Sequence, residues 1–203
     1  MSVAYEQLAL CALEQIGATT ALSQLDELAQ RAAAEEWSYS HFLGRLLEPE
    51  LAARRARVIE TNLRFAGLPY LKRLEDFDFS FQPSVDKTLL EELATGRFLS
   101  EGRNVLLLGP PGVGKTHLAI ALGILTAQLG HRLFFLSAME MARRLGAAFK
   151  ENRLPHAMKT LTQPRLLIIE VGYLCLDQAG AAMLFQIHRQ PLREKRRNHH
   201  YFQ

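Results

Sequence analysis

The run LLLGPPGVGKTHLAIALG, Leu106 to Gly123, admits very few folds. Its G-x-x-x-x-G-K-[ST] pattern is met by Gly109, Gly114, Lys115 and Thr116, and such a loop joins a buried strand to a helix. Glycines at 109, 112 and 114 let the backbone turn tightly and bring its N–H groups close to an anion. Lys115 supplies a mobile point charge for β and γ phosphates, and the Thr116 hydroxyl can hold Mg²⁺. The helix that starts at the lysine aims its amides and the positive end of its dipole at the same phosphates. The expected nucleotide-contacting run is Gly109, Pro110, Pro111, Gly112, Val113, Gly114, Lys115, Thr116 and His117.

The flanks of that run read as alternating strands and helices. Asn104 to Leu108 is a short buried strand, and Lys115 to Leu129 a helix that Gly130 stops in the C′ position. Arg132 to Ser137 is a second strand, and Arg165 to Ile169 a third. Helices over Ala138 to Lys150 and Pro155 to Leu161 lie between those two. Such alternation predicts an α/β class: a parallel sheet covered on both faces.

Upstream the pattern is helical. Leu22, Leu25, Ala29 and Ala32 recur at helical spacing, and Ser38 is placed to cap a helix carrying Phe42, Leu43, Leu46 and Leu47. Glu48-Pro49 is expected to punctuate that helix, and Gly67-Leu68-Pro69 to end the next one, Leu51 to Ala66. At 3.6 residues per turn, Arg54, Arg57 and Arg64 fall within an arc of roughly 80°. This basic stripe is a candidate DNA or partner surface, against the plainer reading of arginines in water on a packed helix. In EDFDFSFQPS, Phe77, Phe79 and Phe81 alternate with polar residues, as in an extended stretch laid on a core, and Ser84 is placed to cap the next helix. The expected division is a helical domain over 1–75, an α/β core over 76–187 and a basic tail over 188–203.

A nucleotide-hydrolysing loop of this kind needs a second strand that ends in an acid, which steadies Mg²⁺, and a neighbouring carboxylate that polarises the attacking water. Here LLII ends in Glu170 and the next residue is Val171. If Glu170 takes the metal position, the water-polarising position is Val171 and hydrolysis is crippled. If Glu170 is instead the base, the metal ligand is lost. Asp177 stands too far along to replace either. The catalytic candidates are Lys115 and Glu170, and the Mg²⁺ candidates Thr116 and Glu170.

Three segments, LAARRARVIETNLRFAGLPYLKRLEDFDFSFQPS, NVLLLGPPGVGKTHLAIALG and LLIIEVGYLCLDQAGAAMLFQI, together resemble the IstB-type helper ATPases of bacterial insertion sequences, relatives of the DnaC helicase loaders in the AAA+ class. The resemblance reaches from about Leu8 to Ile187. It implies an AAA+ type parallel sheet behind a small N-terminal helical domain. It also implies an ATP- and Mg²⁺-dependent protein that assembles on duplex DNA as a homo-oligomer and stimulates a cognate transposase. The family motif resembles LLIIDE before VGYLPLD, so this chain is one acid short. After Ile187 the family continues into a sensor strand and an arginine-bearing segment. HRQPLREKRRNHHYFQ stands there instead, so the sheet is expected to be incomplete on its C-terminal side. A helicase loader and an inactive remnant of a helper are the alternative readings.

Composition narrows the rest. The chain is 48% hydrophobic and 22% charged with a formal charge of +3, ordinary for a globular protein and too weakly basic to require a polyanion. No apolar run approaches the ~18 residues of a membrane span. MSVAYEQLAL lacks the basic flank and cleavage site of a secretory signal, so a cytoplasmic location is expected. Cys11 and Cys175 lack metal-ligand spacing, Cys175 has no nucleophile–base spacing to His117 or His188, and the His199-His200 pair has no further ligands. Trp37 and Tyr39 are expected to be packing residues.

Overall fold

The computed structural model describes residues 2–172. The expectations attached to Cys175, Asp177, His188, His199, His200 and the 188–203 tail lie outside the described residues. The chain divides into two compact units, Met1–Val58 and Ile59–Gln203.

The first unit holds α1 (Ser2–Gln15), α2 (Thr19–Ala34) and most of α3 (Tyr39–Arg64). Ala18, Ala21 and Leu46 are buried at its centre, with Leu13, Leu25, Leu28 and Phe42 packed around them. Ser38 caps α3 as its position predicts, its hydroxyl accepting the His41 amide at 3.2 Å. Pro49 does not end that helix, contrary to expectation: α3 runs through it. A proline inside a helix costs about 3 kcal/mol, and here buried residues lie on either side of it, Leu46 in the core and Glu50 in an ion-pair network. Trp37 stacks on His41 with ring centroids 4.4 Å apart, and its indole N–H donates to Glu35. Tyr39, expected to pack, is 95% exposed.

The second unit is built on two parallel strands, β1 (Leu133–Ser137) and β2 (Leu166–Glu170), in register from Leu133 opposite Leu166 to Ser137 opposite Glu170. Side chains alternate across this pair, so each face takes its own helices. Leu133, Phe135, Leu166 and Ile168 meet α6 (Lys115–Gln128) and the end of α3 through Ala127, Ile120, Ile124, Leu63 and Ala66. Phe134, Leu136, Leu167 and Ile169 meet α7 (Ala138–Lys150) and α8 (Leu154–Thr162) through Met141, Leu145, Met158 and Leu161. The expected parallel sheet with helices on both faces is thus present in small form. At Gly123 any Cβ would come within 2.8 Å of Leu133, so α6 lies close upon the strands.

Three details differ from the sequence reading. The division falls inside α3 and not near Asp76, because the end of that helix belongs to the sheet's core. The Ala66 carbonyl accepts the Phe135 amide at 2.7 Å, and Leu63 and Leu68 pack beside Ile168. Asp86, not Ser84, caps α4 (Lys87–Ala94), which precedes the short α5 (Arg97–Glu101), and its carboxylate accepts the Leu89 amide at 3.1 Å. Asn104–Leu108 is not laddered into a sheet: Leu106 is 62% and Leu108 70% exposed, while Leu107 packs beside Phe77 and Leu118. Strand burial depends on neighbours, and among the described residues β1 and β2 pair only with each other.

Candidate phosphate-binding site

The loop begins at Gly109 and passes into α6 at Lys115. Gly112 and Gly114 sit at φ 79° and 85°, the left-handed region that an L side chain adopts only at a cost of about 1–2 kcal/mol. Gly114 is also the N-cap of α6, and among the described residues no side chain caps that helix. Its first amides therefore present a positively polarised face that suits an anion.

Lys115 folds back over the loop, its ammonium donating to the Pro110 carbonyl at 2.7 Å. Thr116 turns the other way, and its hydroxyl donates to a carboxylate oxygen of Glu170 at 2.6 Å. These two residues are 54 positions apart in the chain. Strand β2 makes the meeting possible, since Glu170 is its last residue and lies opposite Ser137 at the end of β1. A hydroxyl and a carboxylate oxygen side by side at the foot of a phosphate loop form a hard, oxygen-only donor pair, the chemistry that Mg²⁺ takes. Val171, the next residue, is 51% exposed and has no group to polarise water.

His117 follows the loop directly in sequence, and its ring makes a structural contact. Its Nε2 lies 2.8 Å from the Arg73 carbonyl, and Phe77 meets the ring edge to face at 5.3 Å. The sequence carries no signal for this contact beside the 3₁₀ turn Leu74–Asp76, beyond the alternating phenylalanines that predict a segment laid on a core. Phe77 is buried and Phe79 packs beside it, but Phe81 is 71% exposed. Asp78 bends the chain between them by accepting the Ser80 and Phe81 amides.

Two of the three arginines in the α3 stripe are paired with a carboxylate inside the first unit. Arg54 donates to Glu50 at 2.8 Å and to the Ile16 carbonyl at 2.8 Å, and Arg57 reaches the same carboxylate at 3.4 Å. The other Glu50 oxygen accepts the amides of Thr20 and Ala21, at the start of α2. The Arg54 guanidinium, with those backbone amides, holds the Glu50 carboxyl down at about 2. Arg64 lies in the second unit, its guanidinium 4.9 Å from the Phe65 ring centroid. The sequence carries a signal for the first pair, an acid four residues before an arginine, but none for the amides of α2.

Among known proteins, a family model described as "IstB-like ATP binding protein" matches residues 11–196. A protein named as ATP-binding in insertion sequence IS5376 of Geobacillus stearothermophilus is 42% identical over 161 residues, 79% of this chain and 64% of that protein. One so named in insertion sequence IS21 of Pseudomonas aeruginosa is 42% identical over 164 residues, 80% and 62% of the respective chains. One from insertion sequence IS232 of Bacillus thuringiensis subsp. berliner is 34% identical over 188 residues, 92% of this chain and 75% of that protein. The chain thus spans a little under two thirds of the first two relatives.

Proposed function

Because this chain belongs to the family of IstB-like ATP binding proteins, we propose that it binds ATP with Mg²⁺ at Gly109–Thr116 and serves as an accessory protein of insertion-sequence transposition. The observation that carries this reading is the 2.6 Å contact between Thr116 and Glu170, which joins the phosphate loop to the acid at the end of β2. The uncapped start of α6 and the glycine turns receive the phosphates. Lys115 leaves the Pro110 carbonyl for the β and γ phosphates. Thr116 and Glu170 hold the Mg²⁺, which when bound neutralises charge on the phosphate oxygens.

Hydrolysis is impaired in this proposal. With Glu170 committed to the metal side, Val171 stands where water would be polarised, and turnover is slow or absent. The protein then acts as an ATP-dependent binder in the cytoplasm, assembling with further copies of itself on duplex DNA and engaging a cognate transposase. Arg64 is the member of the α3 stripe suited to DNA phosphates, because Arg54 and Arg57 are bonded to Glu50.

The test is duplex DNA binding with and without MgATP, followed across a salt series, alongside multiple-turnover hydrolysis. Tighter, salt-sensitive DNA binding with MgATP and no sustained phosphate release are expected. DNA binding indifferent to ATP would remove the proposed role, and DNA-stimulated turnover would overturn the assignment of Val171.

A further inference from the structure

We propose that the segment Arg73–Phe77 is a strap that positions the phosphate loop, with Phe77 as the positioning residue whose ring holds Gly114 in place. This rests on the ATP-binding reading and adds to it a control point outside the loop itself.

The geometry is specific to one ring edge. A Cβ built on Gly114 would lie 2.6 Å from Phe77 Cε2 and 3.3 Å from Cζ, so the ring lies against the bare α-carbon of the α6 N-cap. Phe77 is 8% exposed and packed with Leu90 and Leu118, which leaves it little freedom to withdraw. The same ring meets His117 edge to face at 5.3 Å, and His117 reaches back to the Arg73 carbonyl at 2.8 Å. The strap is closed on itself as well. Asp76 accepts the Arg73 amide at 2.9 Å, and the Asp76 and Phe77 amides donate to the Arg73 and Leu74 carbonyls.

The strap therefore grips the loop's last glycine and the third residue of α6, one on each side of Lys115 and Thr116. Left-handed backbone at Gly114 aims the first α6 amides into the loop, and a glycine is free to leave that conformation unless something fills the space beside it. Phe77 fills it. An anion that binds only the aimed amides stabilises the docked strap, and by linkage the docked strap strengthens anion binding by the same factor. The Phe77 side chain carries no charge and no hydrogen-bonding group, so its effect passes through its contacts with Gly114 and His117.

Phe77→Leu keeps the apolar contacts with Leu90 and Leu118 but removes the ring edge. Its melting temperature is expected to stay within a few degrees of the parent chain, while MgATP affinity falls about tenfold or more. In the parent chain, saturating MgATP is expected to slow hydrogen exchange at the Asp76 and Phe77 amides, and in Phe77→Leu that slowing is absent. A parent chain that binds MgATP without any change in those amides overturns the inference alone, as does a Phe77→Leu chain that binds as tightly as the parent. The parent measurement stands even if the variant fails to fold. A parent chain that binds no MgATP overturns the ATP-binding reading, and the inference with it.

Discussion

Helices α2 and α6 start with the same electrostatic problem and solve it in opposite ways. Neither has a side-chain cap of its own at the N-cap, where Ala18 and Gly114 stand. At α2 the chain supplies the anion: Glu50, from α3, accepts the Thr20 and Ala21 amides and is itself held by Arg54 and Arg57. At α6 no side chain among the described residues caps the start, and the strap behind Gly114 shapes the loop without filling it. An internal carboxylate converts a helix dipole into stability, whereas a shaped but uncapped start reserves it for a ligand. The neighbouring α7 shows the ordinary local solution, with Ser137 accepting the Glu140 amide at 3.1 Å.

That contrast can be broken most sharply at Gly114. Gly114→Ala places a methyl 2.6 Å from Phe77 and forces an L residue to φ 85°. The strain alone is about 1–2 kcal/mol, and with the clash MgATP binding is expected to fall more than about tenfold in an equilibrium titration, while circular dichroism of the helices changes little. Wild-type affinity in Gly114→Ala would mean that the loop's shape is not what captures the phosphate.

The matching change at α2 is expected to affect stability alone. Glu50→Gln should lower the melting temperature of the first unit by several degrees and leave MgATP binding unchanged. The pH dependence carries a sign. The Glu50 carboxyl is held at about 2 against an ordinary 4.5, so its contribution is complete above pH 4.5 and is lost as the pH falls toward 2. Melting of the parent chain should therefore shift downward through that window more steeply than melting of Glu50→Gln. Equal slopes would show that Glu50 is not the internal anion.

The parts of this fold that were readable in the sequence are those held by contiguous residues. The phosphate loop lies within eight positions from Gly109 to Thr116, and its glycines, lysine and threonine each fill a local requirement. Strands β1 and β2 and helices α6 and α7 were legible because their apolar patterns match two covered faces. Glu170 was legible as the strand-end acid, although only the structure brings it to Thr116. What stayed hidden depends on distant partners. Glu50 looks like an ordinary surface acid until α2 folds against it, 30 positions away. Pro49 reads as a break because local rules carry no knowledge of the buried residues beside it. Asn104–Leu108 reads as a buried strand because its leucines cannot reveal whether a neighbour pairs with them. The arginine stripe is a projection onto one arc of an ideal helix, and two of its three members serve a carboxylate that the projection does not include.

The measurement that tests nucleotide capture most directly is equilibrium binding of a fluorescent ATP analogue with Mg²⁺ to the parent chain and to Lys115→Ala. Micromolar-range binding that Lys115→Ala abolishes is the predicted result, with both proteins equally folded. Absence of binding in the parent chain, or equal binding in the two, would contradict the assignment of Gly109–Thr116 as a working phosphate site.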